Sequence, residues 1–185
     1  MTTLIIVAVV LVLLIILVIG IYNALIRLRN QVDNSWSQID VQLKRRHDLI
    51  PNLVETAKGY MKHERGTFEA ITNARSQAMG AKTVAEASKA EGALGEALSK
   101  FMLVVENYPD LKANQNFLAV QEELTSTENK ISFARQSYND QVLFFNNKIQ
   151  MFPSNIIANM FNFTKRDFFE LEAAAEREVP KVSFT

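Results

Sequence analysis

From Leu4 to Ile19 every position is apolar, and no charged side chain appears before Arg27. Roughly 19 to 23 such residues cross about 30 Å of hydrocarbon at helical rise, so the pattern predicts a transmembrane helix. A cleaved leader needs a basic start and a small-residue cleavage site; the chain opens Met1-Thr2-Thr3 and no A-x-A follows, so a retained anchor is expected. Beyond the span, Val32, Trp36, Ile39, Leu43, His47, Ile50, Val54, Ala57, Met61, Phe68 and Ile71 recur in steps of three and four, which is one face of a long helix. Pro51 interrupts it and either kinks the helix or opens a new one behind Asp48. Met79-Gly80 ends the run, and Thr83 with Glu86 predicts a capping box for the next helix, which stops at Tyr108-Pro109. From Asn114 a third apolar face, Phe117 to Ile149, predicts a helix of about 36 residues, or roughly 54 Å, closed by Phe152-Pro153. The class is therefore all-α. The architecture is a transmembrane helix followed by an up-and-down antiparallel four-helix bundle, with three long helices if Pro51 only kinks. The expected divisions are an anchor over 1–26, a bundle over 27–152 and a Phe-rich tail over 153–185.

Charge and chemistry narrow the function more than they name it. Twenty basic and 20 acidic residues among 185 give zero net charge, so nucleic acid is not an expected partner. No cysteine is present, which removes thiol nucleophiles, disulfides and thiolate metal sites. The two histidines lie 16 residues apart without Glu-x-x-His spacing, and the zinc-protease resemblance of His63-Glu64 fails at Thr67. No nucleophile elbow or phosphate-binding glycine loop occurs. No catalytic residue, metal or cofactor is expected, and both histidines read as exposed or core-edge. The Lys44-Arg45-Arg46 run reads as a solvated or ion-paired face, with lipid headgroups as second choice. Every nearby Lys and Arg follows the span, which places the C-terminal domain in the cytoplasm and a short N-terminus outside.

Some polar and aromatic residues look placed. Gln121, Glu128 and Arg135 repeat every seven, as do Asn139 and Asn146, forming either a polar seam shared with another helix or a wet flank. Trp36 and Phe117 are expected in one bundle core. Phe161, Phe163, Phe168 and Phe169 belong to a tail that covers the bundle's open end, lies at the membrane interface or docks on a neighbouring copy. The span lacks a small-xxx-small pair, so self-association is expected from the helices and the tail.

Two blocks carry a resemblance. The first runs from Asn34 to Thr56 and includes Trp36, Ile39, Asp40, Leu43, Arg45, Arg46, Pro51 and Asn52. The second includes Tyr108, Pro109, Asn114, Phe117, Gln121, Glu128, Arg135, Asn139 and Asn146, with Phe152-Pro153 after it. Together they closely resemble the LemA family. The resemblance implies a bacterial inner-membrane protein with a cytoplasmic bundle, and a four-helix count that tips Pro51 toward a break or sharp bend. It implies no catalytic residue and no cofactor. Relatives tied to membrane remodelling in magnetotactic bacteria, or found beside a membrane metalloprotease, imply a scaffold or protease-accessory role. The leading expectation is a non-catalytic, self-assembling membrane scaffold with lipid and its own copies as partners. The alternatives are an accessory subunit of a membrane protease and an enzyme or metal protein without a sequence motif.

Overall fold

The computed structural model describes residues 1–170, and these contain helices and no strand. In chain order they are α1 (Thr2–Lys58), α2 (Arg65–Met79), α3 (Val84–Val105), α4 (Pro109–Lys112), α5 (Gln115–Gln150) and α6 (Ser154–Met160). The tail expected over 153–185 is thus described as far as 170, and Phe184 lies outside the described residues. The described residues form two compact units, one from 1–40 with 133–168 and one from 41–132 with 169–170.

Of the break or sharp bend that the resemblance implied at Pro51, the break does not occur: Pro51 lies inside α1. A proline inside a helix leaves the carbonyl four residues back without its donor. That carbonyl is His47 O, and the Arg75 Nε–H of α2 donates to it at 2.7 Å. The helix therefore passes through Pro51 with its acceptor satisfied by a side chain. The break comes later, at Gly59, a residue of poor helix propensity. There the Tyr60 and Met61 N–H groups both bond to Ala57 O at 3.0 Å, tightening the last turn. Met61 stays fully buried beyond the break, so the apolar stripe runs on although the helix does not.

The second unit holds the larger aliphatic core. Ile50, Leu53 and Ala57 of α1 pack with Ile71 of α2, Leu94 and Phe101 of α3, Leu111 of α4, and Phe117 and Leu124 of α5. Contacts pair opposite helix ends: Tyr60 meets Asn114 while Arg45 meets Glu123, so α1 and α5 run antiparallel here. Phe68 near the start of α2 faces Phe101 near the end of α3, at 6.2 Å between rings. The caps match the sequence signals. Thr83 and Glu86 form a reciprocal capping box at α3, and Asn114 Oδ1 accepts from Asn116 N–H at 2.9 Å and Phe117 N–H at 3.1 Å to start α5.

The first unit contains the apolar span, which is long and apolar enough to cross a membrane and is not covered by any other described residue. The transition from exposed to buried positions on α1 falls between Ile19 and the fully buried Leu25. From there Val32 and Ile39 pack in a core with Tyr138, Val142 and Phe145 of the α5 segment.

Candidate functional site: an aromatic clasp and a buried ion cluster

In the first unit the chain after α6 runs extended and is held by side chains rather than by a ladder. Asn146, buried on α5, donates through Nδ2 to Arg166 O and accepts through Oδ1 from Arg166 N–H, both at 2.9 Å. A side-chain amide carries a donor and an acceptor side by side, so it satisfies the backbone acceptor and donor of one residue together. Tyr138 Oη donates to Asp167 O at 2.8 Å. Burial pushes the Tyr138 hydroxyl up to about 12, with Arg166 opposing and Asp167 and Asp33 reinforcing the shift. The Arg166 guanidinium reaches Asp33 Oδ1 at 3.0 Å. Nearer the span, the Tyr22 ring lies 4.7 Å from Phe161 and 6.0 Å from Phe163. Phe163 also meets Phe145 at 6.4 Å and lies 5.6 Å below the Arg29 guanidinium.

The second unit encloses ions. Glu91 of α3 is buried, with His47 Nε2 at 2.6 Å from its Oε1 and Arg46 Nη1 at 3.4 Å from its Oε2. Arg46 is itself buried and also reaches Glu128 of α5 at 3.2 Å, while its Nε has no hydrogen-bond partner among the described residues. Gly95 sits over the guanidinium, where a Cβ would lie 3.5 Å from Nη2. Two acidic groups thus face Arg46 and His47, and removing either carboxylate leaves a cation short of its counter-charge. Arg45 next door pairs with Glu123 at the surface.

The residues singled out from the sequence scatter over these two places. Ile39, Leu43 and Phe117 are buried, whereas Asp40, Pro51 and Asn52 are exposed. Trp36 does not share a core with Phe117: it is half-buried in the first unit, 5.5 Å from Tyr138, and Phe117 belongs to the second. His47 is buried against Glu91 rather than exposed or at the core edge; of the solvated or ion-paired face expected for the basic run, Arg45 and Arg46 take the ion-paired form, with Arg46 buried. Tyr108 donates to Glu64 at 3.0 Å, and that bond raises its hydroxyl above the ordinary tyrosine range. Pro109 opens α4. The seven-residue ladder divides. Gln121, Arg135 and Asn139 are half-buried, Glu128 answers Arg46, and Asn146 clasps an extended segment instead of a helix. In the tail Phe169 is fully buried and Phe163 packs on Tyr22 and Phe145, so two of the four candidates for self-association are taken up within their own chain. Phe161 and Phe168 stay exposed at 48% and 38%. Sequence reading missed Glu91. Its signal was its register: Ala87, Leu94 and Leu98 stand four before, three after and seven after it, so this carboxylate occupies a core position of α3.

An N-terminal helix of spanning length leading into an all-helical chain defines the class: a membrane-anchored helical protein. Residues 35–184 match the LemA family, and the chain belongs to it. The chain is 28% identical to Protein LemA of Metamycoplasma hominis over 89% of its own length and 73% of that protein's. It is 22% identical to Magnetosome protein MamQ 2 of Paramagnetospirillum magneticum and 21% identical to Magnetosome protein MamQ of Magnetospirillum gryphiswaldense, in each case over 85% of this chain and 68% of the relative.

Proposed function

We propose that this LemA-family chain is a non-catalytic scaffold that assembles with copies of itself and organises the bacterial inner membrane, with its C-terminal domain in the cytoplasm. The observation that carries the reading is α1, one unbroken helix from Thr2 to Lys58. Within the first unit the span continues without a break into the segment that buries Val32 and Ile39. Such continuity suits a protein that organises the bilayer in which it is anchored. Relatives named as magnetosome proteins fit a role in organising membrane. The outer face of α5 supplies an assembling surface: Leu118, Gln121, Thr125 and Asn129 line a shallow groove of about 600 Å³ there. Glu122 and Ser126 complete its lining, so all but one of these side chains are uncharged, as suits an interface.

The test is the mass of the full-length protein in mild detergent. A homogeneous particle of several chains is expected, and a monomer at all concentrations overturns the scaffold. A reporter fused after Thr185 checks orientation: activity confined to the cytoplasm is expected from the Lys/Arg bias.

A further inference from the structure

Between Lys148 and Lys165 the chain carries no charged side chain. Inside that stretch α6 buries Ser154, Ile157 and Ala158, and it turns Ile156 and Met160 outward, 53% and 61% exposed. Phe152 just before it is 81% exposed. Apolar side chains gathered this way need either a partner or a solvent other than water.

Their position decides which. Leu4 to Ile21 is about 27 Å of helix at 1.5 Å per residue, close to the thickness of a bilayer's hydrocarbon core. The span has little freedom to slide along the membrane normal, so Tyr22 stands at the boundary, where aromatic belts form. The Phe161 ring, one residue past α6, is 4.7 Å from Tyr22. The exposed face of α6 therefore lies at the depth of the headgroups. Arg29 lies over the Phe163 ring at 5.6 Å, Arg27 stands two residues before it on α1, and Lys148 and Lys165 bracket the uncharged stretch, while Arg166 is paired with Asp33. An apolar face rimmed by Lys and Arg is what binds in the plane of an anionic lipid surface. A second copy is the poorer occupant, because at this depth lipid already satisfies the apolar groups and little is gained by covering them with protein.

We propose that α6 and its flanking residues form an interfacial membrane element, in which Phe152, Ile156, Met160 and Phe161 immerse in the headgroup–acyl boundary of the bilayer that α1 crosses. The protein then touches its membrane twice, through the span and through a surface element clasped to the span's exit. The second contact fixes the rotation of α1 about its own axis, which a lone helix of Val, Ile and Leu cannot do.

The chain has no cysteine, so single-cysteine variants report one position each. Ile156→Cys, Met160→Cys and, on the exposed part of α5, Phe133→Cys are labelled with a nitroxide in the full-length protein. Each is reconstituted in vesicles of phosphatidylcholine and phosphatidylglycerol, with helical content checked against the wild type. All three positions are exposed, so the fold is expected to persist. Spin relaxation by oxygen, which concentrates in acyl chains, is compared with relaxation by a water-soluble nickel complex. At 156 and 160 oxygen is expected to exceed nickel several-fold, with no such excess at 133. Nickel access at 156 and 160 overturns the proposal in favour of water. Protection from both reagents there overturns it in favour of a second copy, and an oxygen excess at 133 as well overturns confinement of the contact to α6.

Discussion

The two units are stabilised by different means although α1 and α5 contribute to both. The second is a conventional helical core of aliphatic and aromatic side chains, with one cluster of buried ions set into it. The first relies on an irregular segment after α6 that is pinned by Asn146 and Tyr138, and on rings gathered about Tyr22 and Phe163. Helix packing tolerates repacking of similar volumes, whereas a clasp made by two hydrogen-bonding side chains fails when either is lost. The first unit should therefore yield to point changes that conserve apolar volume but remove polarity, and the second to changes in volume or buried charge.

The sharpest contrast is between the two aromatic residues once expected in one core. Phe117→Ala in the full-length protein should cost about 3 to 5 kcal/mol, as for a large ring deleted from a packed core. Trp36→Ala, half-buried, should cost only about 1 to 2 kcal/mol by the area it covers. Denaturant melts in mild detergent measure both, and equal losses would contradict the division. Glu91→Ala should also cost about 3 to 5 kcal/mol, because it leaves the buried Arg46 short of counter-charge and removes the hydrogen-bond partner of His47 Nε2. A loss below about 1 kcal/mol would mean that water or Glu128 takes over.

In the first unit Asn146→Leu keeps the volume and removes the clasp. It should cost about 2 to 3 kcal/mol, by orphaning a donor and an acceptor of Arg166, and should speed proteolysis after Lys165. Proteolysis at the wild-type rate would show that the clasp does not hold the segment. Tyr138 gives the same unit an alkaline limit. Its hydroxyl titrates near 12 when folded and near 10 when unfolded. The unfolded state therefore loses the proton first, so the contribution is complete below about pH 10 and declines as pH rises toward 12, by about 2 kcal/mol at that end. Relative to Tyr138→Phe, the wild type should be more stable at neutral pH and lose that advantage across this window. A constant difference between the two melts from pH 9 to about 12 would remove the titration from the account.

The smallest effect tests how α1 survives its proline. Arg75→Ala should cost about 1 kcal/mol with Pro51 present, for one hydrogen bond to the carbonyl that Pro51 deprives of its helical N–H. In the Pro51→Ala background an N–H returns, and the same change should cost less. A coupling of about 0.5 to 1 kcal/mol is expected from the cycle, and strict additivity would mean that Arg75 does not stand in for the missing N–H.

The chain's own pattern determined the span, the all-helical class, the capping box at Thr83, the stop before Pro109 and the start of the last long helix at Asn114. Each is set by neighbours a few residues apart, through hydrophobic period, a missing N–H or a local side-chain cap. Two outcomes were decided only in three dimensions. Pro51 predicts a defect, but whether the defect breaks the helix depended on a guanidinium 24 positions further along the sequence. The stripe through Met61 masked the real break at Gly59, because burial can keep its register where the backbone does not. Glu91 at a core register and Asn146 in a polar ladder were visible as oddities, yet their partners, His47 with Arg46 and the backbone of Arg166, come from distant segments. Short-range periodicity carries no information about such pairs. Only the folded chain, by bringing a carboxylate to its cations and an amide to a peptide group, makes burying them affordable.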